Sequence, residues 1–167
     1  VAVTSTGKVI SVKRYMFNGD DFSCACYGNS NYILTEFAYT SQFSSHTMEY
    51  FVKLTENYNM IPVLTHVERY PALINDPSII GELKDMGVII QTNTNSYTKK
   101  ASFFSKLKLI KLIKGGYIDV IGSDAHSLTH NDPRTFTEAL DFISAKCGQS
   151  TVRKMMGNAE EIFNSAL

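Results

Sequence analysis

Beyond Asn29 the chain switches repeatedly between two hydrophobic periods. "YILTEFA" (Tyr32–Ala38) is a short apolar run suited to a strand, and "HTMEYFVKLTENYN" (His46–Asn59) spaces its apolar residues as a helix does. "MIPVLTH" (Met60–His66) predicts a second strand. "DPSIIGELKDMG" (Asp76–Gly87) predicts a short helix opened by Asp-Pro and stopped at Gly87. "VIIQTN" (Val88–Asn93) predicts a third strand, and "SFFSKLKLIKLIKGG" a helix whose Leu and Ile positions form one stripe closed by two glycines. "YIDVIGSD" (Tyr117–Asp124) predicts a fourth strand. A helix over "DPRTFTEALDFISAKCG" and a last one near "AEEIFNSA" follow. Strands alternating with helices, with no Asn-Gly turn in this region, predict βαβ units and a parallel sheet. Residues 1–28 read as an irregular lead-in, and 1–167 as a single domain.

The strand ends carry the chemistry. The first ends near Glu36, the second at His66, the third at Asn93 and Asn95, and the fourth at Asp124 and His126. In parallel α/β folds functional groups gather at the carboxyl ends of strands. If Asp124 and His126 are carried on a strand, their spacing of two points both side chains the same way. A carboxylate and an imidazole are ordinary ligands for zinc, manganese or iron. Taken singly, Glu36 also reads as a turn or salt-bridge residue, and His66 as a satisfied semi-buried histidine. Four successive strands ending on such residues favour a metal site.

Composition narrows the class. With 167 residues, 44% hydrophobic and 19% charged, the chain is globular rather than disordered. Lys plus Arg and Asp plus Glu balance at 16 each, which argues against a nucleic-acid binder working through bulk charge. No apolar run approaches the roughly 18 to 20 residues of a membrane span, so membrane insertion is not expected. The first residues lack the pattern of a signal peptide. Three cysteines, an odd count without a zinc-like repeat, suit a reduced cytoplasmic compartment.

Arginines complete the pattern. "THVERYP" places Arg69 three residues past His66, and "SLTHNDPRT" supplies His130 and Arg134. Guanidinium groups suit phosphate oxygens, because they offer paired charge-assisted hydrogen bonds. Carboxylates and histidines flanked by two arginines fit metal-assisted hydrolysis of a phosphate ester. Each arginine also has a bland reading, as a salt bridge or a helix-start residue.

"PVLTHVERYPAL", "MGVIIQTNTNSY" and "IGSDAHS…PRT" resemble the PHP (polymerase and histidinol phosphatase) family. More narrowly they resemble the manganese-dependent tyrosine phosphatases of bacterial capsule and exopolysaccharide loci, from about Asn29 to the C-terminus. The resemblance implies a distorted (β/α)₇, TIM-like barrel with metals at the strand carboxyl ends. It implies phosphotyrosine on a bacterial tyrosine autokinase as substrate. Carried over residue by residue, Glu36, His66, Asp124 and His126 match metal ligands, with Mn²⁺, Fe²⁺ or Zn²⁺ as candidate ions. Arg69 and Arg134 match phosphate-contacting arginines, the loop before Arg134 being longer here. Where some relatives carry a further histidine, this chain has Asn95 and Ser96.

The family also opens with an H-x-H strand, another histidine and a further glutamate, none of which this chain contains; its histidines are His46, His66, His126 and His130. The resemblance therefore implies the C-terminal portion of the barrel, with roughly the first 80 residues of a full barrel preceding Val1. Open sheet edges would then favour self-association. Two alternatives stay open: a PHP phosphatase acting on a small phosphate ester, and a non-catalytic domain that binds a partner.

Two further stretches invite misreading. "CGQSTVR" (Cys147–Arg153) has the C-x5-R spacing of cysteine-based tyrosine phosphatases, but helical spacing precedes it, so Cys147 is expected at a helix C-terminus. "KLKLIKLIK" alternates Lys with apolar residues as a membrane-surface helix does, yet its place between strands predicts an outer helix of the fold. His46 is expected on an exposed first turn, with a preceding serine available as cap.

Overall fold

The computed structural model describes residues 10–11, 26–125 and 134–167. Five strands run in chain order across one sheet: β1 (Ile10–Ser11), β2 (Tyr32–Glu36), β3 (Ile61–Leu64), β4 (Ile89–Asn93) and β5 (Val120–Gly122). Every neighbouring pair is parallel. The alternation of strand and helix, and with it the α/β parallel class, is as the sequence implies.

Two expectations need correction. Residues 1–28 are not wholly irregular: Ile10–Ser11 pair with Thr35–Glu36 at the edge of the sheet. Two residues are too few to show a period, so only the neighbouring strand reveals them. The fourth predicted strand, Tyr117–Asp124, is shorter than its apolar run, with only Val120–Gly122 in the ladder. Asp119 instead turns inward, its Oδ2 accepting from Ile90 N at 3.0 Å while Oδ1 takes the Lys84 ammonium.

The connections are helical: α1 (Ser45–Val52), α2 (Pro71–Asn75), α3 (Pro77–Asp85), α4 (Phe103–Lys114), α5 (Thr135–Cys147) and α6 (Gln149–Ser165). A single π turn, Lys53–Asn57, extends α1. The Asp-Pro signal works as read: Asp76 Oδ1 accepts from Ser78 N at 3.1 Å and Pro77 opens α3. The serine cap does not form before His46. Ser44 holds the N-cap position of α1 without a side-chain bond, and His46 lies exposed on the first turn beside Glu49 and Tyr50.

The main core lies between the sheet and α1 to α6. Phe51, Leu64, Leu73, Ile80, Leu83, Ile90 and Ile143 are all buried there, and truncating one such leucine to alanine costs about 2–5 kcal/mol. The Leu/Ile stripe of α4 faces inward through Leu109, Ile110, Leu112 and Ile113, as an outer helix of the fold requires. A smaller cluster joins Val120 to Ile162 of α6 and to Tyr27. Gly122 leaves room for the Gln91 side chain, which would have to shift for a Cβ 2.8 Å from its Nε2. The ladder Gln91–Asn93 with Val120–Gly122 joins β4 and β5 just before the chain reaches Asp124.

Candidate active site at the carboxyl ends of the strands

The predicted residues leave the sheet at one end. Glu36 is the last residue of β2, His66 lies just beyond β3, Asn93 closes β4, and Asp124 lies just beyond β5. His66 (φ 57°) and Asp124 (φ 52°) both adopt the left-handed conformation. Non-glycine residues rarely do so, and such strain concentrates at functional positions. Asp124 therefore sits past the strand, so pleat geometry does not orient the Asp124/His126 pair. His126 and His130 lie outside the described residues.

After His66 the chain makes one turn of 3₁₀ helix, Val67–Arg69, and Tyr70 is extended before Pro71, as a residue preceding proline prefers. Val67 and Tyr70 are fully buried. The Tyr70 hydroxyl accepts from Phe37 N at 3.0 Å and donates to Phe37 O at 3.4 Å. Burial pushes the Tyr70 phenol up to about 12, keeping it neutral in that bond. Glu68 turns towards β4, accepting from Thr92 Oγ1 at 3.0 Å and from Asn93 N at 3.2 Å. Tyr97 donates to Thr92 Oγ1 at 3.1 Å, so the chain of donors runs one way, Tyr97 to Thr92 to Glu68. Burial holds the Glu68 carboxyl above the usual range; its hydrogen bonds and nearby His66 pull it back.

Asn93 is the hinge of the arrangement. Its Nδ2 lies 2.8 Å from His66 Nδ1 and 3.3 Å from Asp124 Oδ2, and those two atoms are 3.8 Å apart. An amide nitrogen only donates, so His66 Nδ1 accepts and the ring proton belongs on Nε2. Asn93 Oδ1 is buried without a partner. Arg69 closes the group: Nη2 donates to Asp124 Oδ2 at 3.4 Å and Nη1 to Tyr39 Oη at 2.7 Å. Tyr39 in turn donates to Glu36 Oε1 at 3.3 Å. Tyr39 and Arg69 thus link Glu36 to Asp124 among the described residues.

The donors fit a divalent ion in kind. An imidazole lone pair and a carboxylate oxygen already turn towards one electropositive group, the Asn93 amide nitrogen. The orphaned Asn93 Oδ1 is a third possible donor, and the second oxygen among them. Among the described residues no group of three or more His, Cys, Asp or Glu side chains gathers closely enough to hold an ion alone. Arg134 lies exposed at the start of α5, where Thr135 Oγ1 meets Thr94 Oγ1 at 2.8 Å.

The sequence reading gave Glu68 no role of its own, overlooked Tyr39, and treated Asn93 only as a strand end. The signal for Glu68 was its place between His66 and Arg69; Tyr39 left none. Cys147 is the last residue of α5, and burial raises its thiol, which suits a structural residue and not a nucleophile.

Imidazole, carboxylate and guanidinium thus stand together at the carboxyl edge of a parallel α/β sheet. Over residues 12–164 the chain matches the family described as capsular polysaccharide synthesis, CpsB/CapC. It belongs to that family. It is 31% identical over 133 residues to the tyrosine-protein phosphatase CpsB of Streptococcus pneumoniae, covering 76% of this chain and 53% of that protein. Identity to CpsB of Streptococcus agalactiae is 28% over 144 residues, covering 82% and 58%. The chain thus spans about half the length of the curated relatives it matches. A solved chain from the crystal structures of YwqE from Bacillus subtilis and CpsB from Streptococcus pneumoniae, described as metal-dependent tyrosine phosphatases, superimposes with a TM-score of 0.82. That match has 22% identity and covers 96% of this chain and 64% of the other. At that identity the likeness speaks for the fold.

Proposed function

We propose that the chain serves metal-dependent hydrolysis of phosphotyrosine on a bacterial tyrosine autokinase, in the cytoplasm, as a single PHP-type domain with its sheet forming part of a (β/α)₇ barrel. The observation that carries the reading is the contact of Arg69 with Asp124 beside His66, which joins a phosphate-binding group to two candidate metal ligands. Family membership supports the same chemistry. No helix of the described residues is long and apolar enough to cross a membrane.

His66 and Asp124, with His126 and Glu36, would hold the ion, for which Mn²⁺, Fe²⁺ and Zn²⁺ all suit mixed nitrogen and oxygen donors. When bound, such an ion supplies Lewis acidity and lowers the pKa of water. Arg69 binds the phosphate: its side chain is 36% exposed, and the contacts to Tyr39 and Asp124 fix the plane of the fork while leaving N–H groups for phosphate oxygens. Tyr39 positions that fork from the Glu36 side, and Arg134 takes a second phosphate oxygen. Asn93 holds His66 and Asp124 in place through one amide.

The test is phosphate release from a phosphotyrosine peptide by the 167-residue chain in Mn²⁺, with metal content measured in parallel. Turnover lost in His66→Ala and Asp124→Ala and kept in Cys147→Ser is the expected result. Turnover that survives Asp124→Ala and disappears in Cys147→Ser would overturn the reading in favour of a cysteine nucleophile.

A further inference from the structure

A cleft of about 580 Å³ opens beside the candidate site, between α2, the Thr94–Tyr97 turn and the first half of α4. Its lining includes Glu68, Pro71, Asn95, Ser102, Ser105 and Lys108. Glu68 also accepts from Asn93 N, so the cleft starts at a residue bonded to the strand end that bridges His66 and Asp124. Glu68 links it to the candidate site, and His66, Arg69 and Asp124 do not line it.

Its α4 side is basic, while Glu68 lies at the inner end and Glu138 Oε1 accepts from Lys99 N at 2.7 Å. Between Asp85 and Asp119 the chain has no acidic residue, while Lys99, Lys100, Lys106, Lys108, Lys111 and Lys114 all fall there. Lys106 is engaged, donating to Thr98 O at 3.2 Å and lying over the Phe142 ring. Lys99, Lys100, Lys108 and Lys111 are exposed, and among the described residues no carboxylate pairs with them. At the start of α4, Phe103 and Phe104 are 62% and 77% exposed, with their rings edge to face, and Leu107 follows at 42%. Helix α4 returns from the carboxyl end of β4, so this apolar pair sits at the same end of the sheet as Arg69. A mixed cleft with a lysine on its wall, on a helix whose first turn exposes two aromatic rings, is what an extended polypeptide with acidic side chains would use.

We propose that this cleft docks an acidic segment flanking the target tyrosine of a protein substrate, an acidic side chain meeting Lys108 and an apolar one lying on Phe103 and Phe104. The surface selects a protein over a small phosphate ester. The Glu68 carboxylate does not oppose this, because Thr92 and Asn93 hold it at the inner end while the lysine stands on α4. The inference rests on the phosphatase reading for its purpose, and its test does not need turnover.

The test uses the full 167-residue chain and two fluorescein-labelled peptides without phosphate, each a tyrosine flanked on both sides by glutamates or by glutamines. Fluorescence anisotropy is expected to show the glutamate peptide binding about tenfold tighter. Lys108→Glu should erase that preference, and Ser105→Trp, which fills the cleft from an exposed position, should weaken both peptides. Lys154→Glu on exposed α6 should change nothing. Equal affinity for the two peptides overturns the proposal, as does an equal effect of Lys108→Glu and Lys154→Glu. Co-sedimentation with phosphatidylcholine vesicles containing phosphatidylglycerol, lost in Phe103→Ser/Phe104→Ser without any peptide binding, overturns it in favour of a membrane surface. Docking that persists in a chain that hydrolyses nothing removes the phosphatase reading alone.

Discussion

Two strand-to-helix connections carry the candidate site, and they are built in opposite ways. The one after β3, His66 to Tyr70, is a single buried turn: His66 is 4% exposed, Val67 and Tyr70 not at all. Tyr70 bolts it to Phe37 and Glu68 bolts it to β4. The one after β5 leaves the sheet at Gly122, strains through Asp124 and returns at the exposed Arg134. Asp124 takes its position from the first connection, by accepting from Arg69 and Asn93. One turn is held by its own packing, and it holds the key residue of the other. A guanidinium fixed by two neighbours, as Arg69 is by Tyr39 and Asp124, is prepared for phosphate, because less rotamer freedom remains to be lost on binding.

The largest expected effect comes from cutting the tie between the two. Asp124→Ala leaves Arg69 and Asn93 without their shared acceptor and should lower phosphotyrosine hydrolysis by more than about 100-fold. Mn²⁺ affinity, read by calorimetry, should fall with it. Next comes the pair of arginines. Arg69→Lys replaces a fork that spans Tyr39 and Asp124 by a single ammonium and should cost about 100-fold in kcat/KM, against about tenfold for Arg134→Lys. Equal losses at the two positions would erase the contrast drawn here.

A smaller effect tests the packing of the first turn. Tyr70→Phe keeps the buried ring but leaves the Phe37 N–H and C=O without their partner, for a loss of about 1–2 kcal/mol in urea unfolding. Smaller still is a pH dependence. Glu68 has its folded value raised above about 4.5 by burial, so the folded state holds the proton more tightly than the unfolded one. The stability this contributes is complete below the unfolded value and is lost as pH rises through the folded one. With chelator present, the stability of wild type relative to Glu68→Gln should therefore decline on going from pH 4 to pH 8. A difference that grows with pH has the wrong sign. Cys147→Ser should leave hydrolysis unchanged.

Part of the first turn was legible before any coordinates. His66 was legible as a strand end with Arg69 three residues on, whereas the 3₁₀ turn and the short helix opened by Pro71 were not read from it. Cys147 was legible as a helix end from the spacing before it, and Gly148 (φ 90°) breaks the chain there between α5 and α6. The second connection was read less well. Apolar periodicity ran the strand through Tyr117–Asp124, whereas Asp119 turns to Lys84 and Ile90 N, and Asp124 takes a left-handed backbone. Neither departure changes the hydrophobic pattern, so neither is visible in it.

What the sequence determined by itself is the alternation of β2 to β5 with helices, the parallel class and the residues at those strand ends, since these follow from period and local backbone preference. Tertiary structure alone decided that the Asn93 amide stands between His66 and Asp124, that Tyr39 carries Glu36 to Arg69, and that Lys108 of α4 borders a cleft beside Glu68. Those are meetings of side chains far apart in the chain. Their distances depend on how the strands are laid side by side, which no local period encodes.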